Sequence, residues 1–283
     1  MWLRYFLPTM KNLNPLVCVE INEFDLIKNS KNNRAALTLL RPRVATQYAN
    51  YLANFQNIHT IGSAGFLPAE DVDLLKCYKG KTNALSSLIS RINKAQTVEF
   101  QYICGYCLYH TVSTIDHYIP KDEYPVFCVM PRNLVPCCAK CNTTKNDYWR
   151  GITERWFIHL YEDVIPNFPF LIGTLTMNST LPNIQYNLVQ PAGMSKHDFD
   201  LISTHFKRLG LLKLYNEGIN NVIGELKKSV ANARVVQPVL STAEIAKVLR
   251  SVATTARTSF GLNYWQSVAI DLLANSQPFL QTL

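Results

Sequence analysis

The chain has 283 residues, 48% of them hydrophobic and 17% charged, enough to bury a core in one or two domains and too apolar for a disordered chain. No run of about 18 apolar residues occurs, which argues against a membrane-spanning helix. The net charge is +8, with seven basic against three acidic residues in 1–50 and ten against five in 195–260. An excess of this size suits a polyanionic partner, nucleic acid before a membrane surface, although a solvated basic face would have the same composition.

In chain order, Leu16–Ile21 reads as a strand. Arg34–Leu40 and Val44–Phe55 have helical apolar spacing, interrupted by Pro42, which lacks the amide that a helix interior needs. Ala84–Ile92 places Leu85, Leu88, Ile89 and Ile92 on one helical face. From about Thr97 to Trp149 the text changes to short β-rich pieces, paired cysteines and prolines. A helical patch follows near Trp156–Tyr161, and Pro166, Pro169, Pro182 and Pro191 then break the chain. The alternation of Ile184, Tyr186 and Leu188 marks a strand. Phe199, Ile202, Phe206 and Leu209 keep a 3.6-residue period that Gly210 ends. A further helix is expected over Ile219–Val230, and Ser241 with Glu244 forms a capping box that opens one over Ile245–Ala256.

Most of the eight cysteines cluster between Cys104 and Cys141. Met1–Pro8 lacks the apolar run and small-residue cleavage site of a signal peptide, so the expectation is a cytoplasmic protein whose cysteines bind metal or pack as small apolar groups. Cys104-x-x-Cys107 and Cys138-x-x-Cys141 have the spacing with which pairs of thiolates hold a tetrahedral Zn²⁺. Four thiolates leave no open position, so such a zinc would be structural. Cys137 and His110 are alternative ligands with poorer spacing. Cys18, Cys77 and Cys128 read as buried apolar residues.

Between the two pairs lies Thr114-Ile115-Asp116-His117-Tyr118-Ile119-Pro120, with Asn133 further on and Asn142 and Lys145 directly after the last cysteine. This combination resembles the HNH endonuclease family in its zinc-stapled ββα-metal form, over about 48 of the 283 residues. The resemblance implies an α+β fold. A small treble-clef-like ββα core over 101–150 would be flanked by mainly helical regions at 1–100 and 151–283. It also implies metal-dependent hydrolysis of phosphodiester bonds in nucleic acid, DNA first. His117 would be the general base. Asp116 and Asn142 would hold one Mg²⁺ or Mn²⁺, and Asn133 would pin the loop that carries the histidine. Oxygen donors of this kind suit a hard cation that keeps several waters. Lys145, one helical turn beyond Asn142, is expected at a phosphate or at the surface. Adjacent strand residues face opposite ways, so Asp116 and His117 can serve one site only if the strand ends there.

The stretch from Asp116 to Asn142 also looks like the HNH nucleases encoded beside ATPases in bacterial anti-phage systems of the Septu type. That likeness implies an ATPase partner, docked on the C-terminal helices. The competing reading is a non-catalytic zinc-stabilised module that binds nucleic acid or protein. Gly80-Lys81-Thr82 is not a phosphate loop, because Leu75 stands where that motif needs glycine. His59, His159, His197 and His205 have no ligand-spaced neighbours and read as surface or core residues.

Overall fold

A computed structural model describes residues 11–165, 167–179 and 181–283. The expectation for Met1–Pro8 lies outside them, as do Pro166 and Thr180. The chain is mixed helix and strand. Helices α1 (Glu20–Asn29), α2 (Arg34–Ala53), α3 (Pro68–Leu75) and α4 (Asn83–Lys94) come first. Strands β1 (Thr114–His117) and β2 (Leu134–Cys137) and helix α5 (Ala139–Lys145) follow. Then come β3 (Leu171–Asn178), β4 (Leu181–Leu188), α6 (Lys196–Leu209), α7 (Leu211–Val236), α8 (Thr242–Phe260), α9 (Trp265–Ala274) and α10 (Gln277–Leu280). No helix among the described residues is long and apolar enough to cross a membrane. The chain packs as two compact units, 12–163 and 164–283, residue 11 grouping with the second.

In the unit 12–163, α2 runs unbroken through Pro42, where two helices were expected. The proline removes the bond to the Thr38 carbonyl, a loss of about 3 kcal/mol in a helix interior. The buried face of Leu37, Leu40, Val44, Tyr48 and Tyr51 offsets it. At about 2 kcal/mol per large apolar side chain, that face outweighs one missing bond. The expected strand at Leu16–Ile21 is absent: residues 16–19 pair with nothing regular, and Glu20 opens α1. Glu20 and Glu23 in its first turn suit the positive end of the helix dipole. α4 forms as its periodicity demands, with Thr82 Oγ1 accepting from the Leu85 amide at 3.2 Å.

The patch at Trp156–Tyr161 is not helical. Phe157, Ile158, His159, Leu160 and Tyr161 are buried in succession, and no single helical face can do that. The backbone instead winds around Asp163, whose carboxylate takes both guanidinium nitrogens of Arg155, at 2.9 and 2.7 Å, and the His159 amide at 2.7 Å. His159 is a core residue, packed on Phe55 and Tyr118 and 3.0 Å from the Tyr51 hydroxyl.

In the unit 164–283, β3 and β4 form an antiparallel ribbon in the register Leu171↔Leu188 to Asn178↔Leu181. Pro182, Ile184 and Tyr186 of β4 are buried, alternating with exposed residues. Tyr186 donates its hydroxyl to the Trp265 carbonyl at 2.7 Å, and the rings of Tyr215 and Trp265 stack 5.4 Å apart. Gly210 ends α6 at φ 65°, and the Ser241–Glu244 capping box is formed. α7 and α8 extend beyond the ranges expected for them, because buried Leu211 and Leu214 lengthen α7 at its start. β3, α3, α9 and α10 are elements that periodicity did not mark.

Glu20 carries a pH-dependent part of the stability. Burial pushes its carboxyl from an ordinary 4.5 up to about 7, against the opposing pull of Arg132. Its Oε2 accepts the Arg132 amide at 3.3 Å, so it braces the turn before Asn133. The native state thus holds this proton more tightly than the unfolded chain. The contribution is full below about 4.5 and is lost as pH rises to about 7, at most about 3 kcal/mol. Glu20→Gln is expected to gain stability relative to the native chain as pH rises across that window, measured by urea unfolding. Parallel curves for the two proteins would count against it.

Candidate metal centre and adjoining cleft

Cys104 and Cys107 sit on a tight turn closed by the Leu108 amide donating to the Cys104 carbonyl at 2.8 Å, with Leu108 at φ 47°. The His110 amide points at Cys107 Sγ, 3.5 Å away. Gly105 leaves room for Leu160, whose Cδ1 would stand 2.7 Å from a Cβ placed there. The second pair spans the β2–α5 junction, where Cys138 caps α5 and its Sγ accepts the Cys141 amide at 3.3 Å. All four thiols are buried, and their sulfurs lie within 4.8 Å of one another. Tetrahedral zinc with Zn–S of about 2.3 Å would set sulfurs roughly 3.8 Å apart; Cys107 and Cys138 stand at 4.0 Å.

This cluster could therefore hold a structural metal such as zinc. Hydrogen bonding from Cys104 lowers Cys107 and Cys138, whereas bonding to Cys107 raises Cys104, and bonding to Cys104 raises Cys141. Among the described residues it is the one such cluster of Cys, His and acidic groups. Cys137 is buried outside it, and His110 Nδ1 lies 3.7 Å from Cys107 Sγ. Cys77 and Cys128 are buried as expected, whereas Cys18 is half-exposed.

β1 and β2 pair antiparallel, Asp116 opposite Val135 and His117 opposite Leu134, and α5 packs against β1. β1 ends at His117. Asp116, His117 and Asn142 line one cleft of about 400 Å³, together with Tyr78, Thr114, Lys121 and Asp147. Asn142 Nδ2 donates to Thr114 Oγ1 at 3.2 Å and to the Ile115 carbonyl at 3.3 Å, so its amide oxygen is the group left for a ligand. Asn146, at φ 46°, ends α5 and precedes Asp147.

His117 is 8% exposed. Its Nε2 lies 2.9 Å from the Cys128 carbonyl, and Tyr78 meets its ring edge-on at 4.4 Å. A carbonyl only accepts, so Nε2 carries the proton and Nδ1 the lone pair. Burial lowers the imidazole pKa to about 4, against the opposing effects of the Cys128 carbonyl and Asp116. The ring is neutral at pH 7.

Asn133 is fully buried. It accepts the Ile119 amide at 2.7 Å and donates to the Ile119 and Phe127 carbonyls at 2.9 and 3.2 Å. It thereby clamps the chain two residues after His117 and does not line the cleft.

Lys145 departs most from expectation. It is 0% exposed and reaches neither the surface nor the cleft lining. Its Nζ stands 3.1 Å from each Asp116 oxygen and donates to the His117 carbonyl at 2.9 Å. It turns inward while the residues just before it on α5, Thr143 and Thr144, take the solvent side, and its ammonium stands 5.9 Å from the ring centroids of Tyr118 and Phe157. Tyr106, within the first cysteine pair, donates its hydroxyl to Asp116 Oδ2 at 2.8 Å. Motif spacing did not reveal Tyr106 or Tyr78. Neither residue type has a fixed place in the motif, and only folding brings them to the site.

Protein ea31 of Escherichia phage lambda is 27% identical to this chain over 176 residues, which is 59% of each protein. The chain thus spans about three-fifths of the length of that relative. No protein-family model matches the chain, and no solved structure does.

Removing the metal should destabilise the unit 12–163. Zinc is expected at close to one equivalent per chain and absent from a Cys104→Ser/Cys138→Ser double variant. A loss of only about 4 kcal/mol would lower Tm by roughly 10 °C in a unit of this size. Equal zinc content in variant and native chain, by elemental analysis, would contradict the assignment.

Proposed function

We propose that the unit 12–163 is a metal-dependent endonuclease of the HNH type that hydrolyses phosphodiester bonds in nucleic acid, DNA first. One observation carries the reading. A two-stranded ribbon and a short helix, joined by a four-cysteine cluster, bring Asp116, His117 and Asn142 to one open cleft.

Hydrolysis needs an activated water and neutralisation of charge on the phosphate and the departing oxygen. His117, held neutral with its tautomer set by Cys128, presents Nδ1 to accept a proton from water. Asn133 fixes the loop that orients it. Asp116 keeps a lone pair on Oδ1, and Asn142 has an amide oxygen with no partner among the described residues. That donor set fits Mg²⁺ or Mn²⁺ retaining several waters. When bound, the ion would neutralise charge on the phosphate. The cysteine cluster has no open position and would act only as a staple.

The likeness to ATPase-associated anti-phage nucleases supports a further reading, in which the chain is a defence effector gated by an ATPase. The C-terminal helices would be the docking region. A second class of function is favoured by one observation: both Asp116 oxygens already accept hydrogen bonds, from Tyr106 and Lys145. A non-catalytic zinc-stabilised module binding nucleic acid or protein needs nothing more from that carboxylate.

Nicking of supercoiled plasmid and cutting of single-stranded DNA, with Mg²⁺, with Mn²⁺ and with EDTA, separates the two. Metal-dependent cleavage that falls by about 10²–10⁴ in His117→Ala is expected. A folded, zinc-loaded chain that cuts nothing, alone or with candidate ATPase partners, would favour the binding module.

A further inference from the structure

We propose that Lys145 makes the divalent-cation site of the cleft depend on phosphate, so that cation and phosphodiester bind together and each binds poorly alone. The inference rests on the reading of Asp116 and Asn142 as the cation's ligands. Lys145 is a positioning residue in it and does not contact the substrate.

A free aspartate beside an amide oxygen would offer a cation one full negative charge. Here that charge is already met. Lys145 Nζ spans both Asp116 oxygens at 3.1 Å, and its side chain is fully buried, so water screens the pair little. Tyr106 occupies a further lone pair of the same carboxylate at 2.8 Å. The ammonium cannot swing away cheaply, since it also holds the His117 carbonyl at 2.9 Å and stands 5.9 Å from the ring centroids of both Tyr118 and Phe157. Asn142 is uncharged. A divalent cation entering the cleft thus meets an almost charge-neutral inner wall, with a fixed positive charge directly behind its carboxylate. Asp147, on the exposed rim, is the remaining acidic residue of the lining. A phosphodiester supplies the missing negative charge and oxygen donors in one group. Because coupling between two ligands is reciprocal, the cation must raise phosphate affinity by the same factor.

The test measures Mn²⁺ binding to the zinc-loaded full chain at pH 8 by electron paramagnetic resonance of free Mn²⁺. It is run with and without a DNA dinucleotide carrying one phosphodiester, the dinucleotide's own Mn²⁺ binding being subtracted. In the native chain, Mn²⁺ affinity is expected to rise at least tenfold when the dinucleotide is present. Lys145→Met should bind Mn²⁺ about tenfold tighter by itself and lose that dependence, whereas Lys145→Arg should keep it. Equal affinity with and without the dinucleotide in the native chain overturns the proposal, and that arm decides even if Lys145→Met does not fold. A folded Lys145→Met that binds Mn²⁺ as the native chain does also overturns it. Asp116→Asn should lose Mn²⁺ binding under both conditions. If it binds as before, the ligand assignment itself fails, a result distinct from failure of the role given to Lys145.

Discussion

Four buried sulfurs meet beside this site. Cys104 and Cys107 come from a turn before β1, and Cys138 and Cys141 from the start of α5, more than thirty positions later. The ribbon between them has four residues per strand and α5 has seven, too little surface for independent stability. A tetrahedral metal at the cluster would fix the helix against the hairpin. It would also fix Tyr106, which sits between the first two cysteines and reaches Asp116. The staple and the cleft are thus parts of one small mechanical unit.

Around that unit the N-terminal helices serve as walls. Tyr78, just beyond α3, closes on His117, and Tyr51 of α2 joins the buried polar group of Asn133 and His159. Glu20 of α1 supports the turn that carries Asn133. Two things act on His117: burial lowers the ring's affinity for a proton, and the Cys128 carbonyl fixes its tautomer. Lys145, buried with its ammonium beside the Tyr118 and Phe157 rings, is the counter-charge of Asp116.

Local grammar was legible where a local interaction decides the outcome. The α4 face, the α6 stripe ended by Gly210, the Ser241 capping box and the β4 alternation all formed, because caps and amphipathic faces act over a few residues. Legibility failed where distant packing overruled a local rule. Pro42 did not break α2, since the buried tyrosines and leucines of that helix outweigh one lost bond. Trp156–Tyr161 did not coil into a helix, since every residue from Phe157 to Tyr161 is needed in the core. The strand expected at Leu16–Ile21 had no partner to pair with.

By itself the sequence determined the four cysteines of the cluster that could hold a metal and the identity of Asp116, His117 and Asn142 as candidate residues, since spacing within a turn or a short helix limits what side chains can reach. Tertiary structure alone decided the charge environment of those residues. Whether a lysine three positions past an asparagine meets a phosphate or an aspartate depends on which face of α5 is covered, and packing against Tyr118 and Phe157 covers the face that carries Lys145. The protonation state of His117 follows from burial, and the pairing of Asp116 with Lys145 from packing; both are properties of the whole unit and of no segment within it.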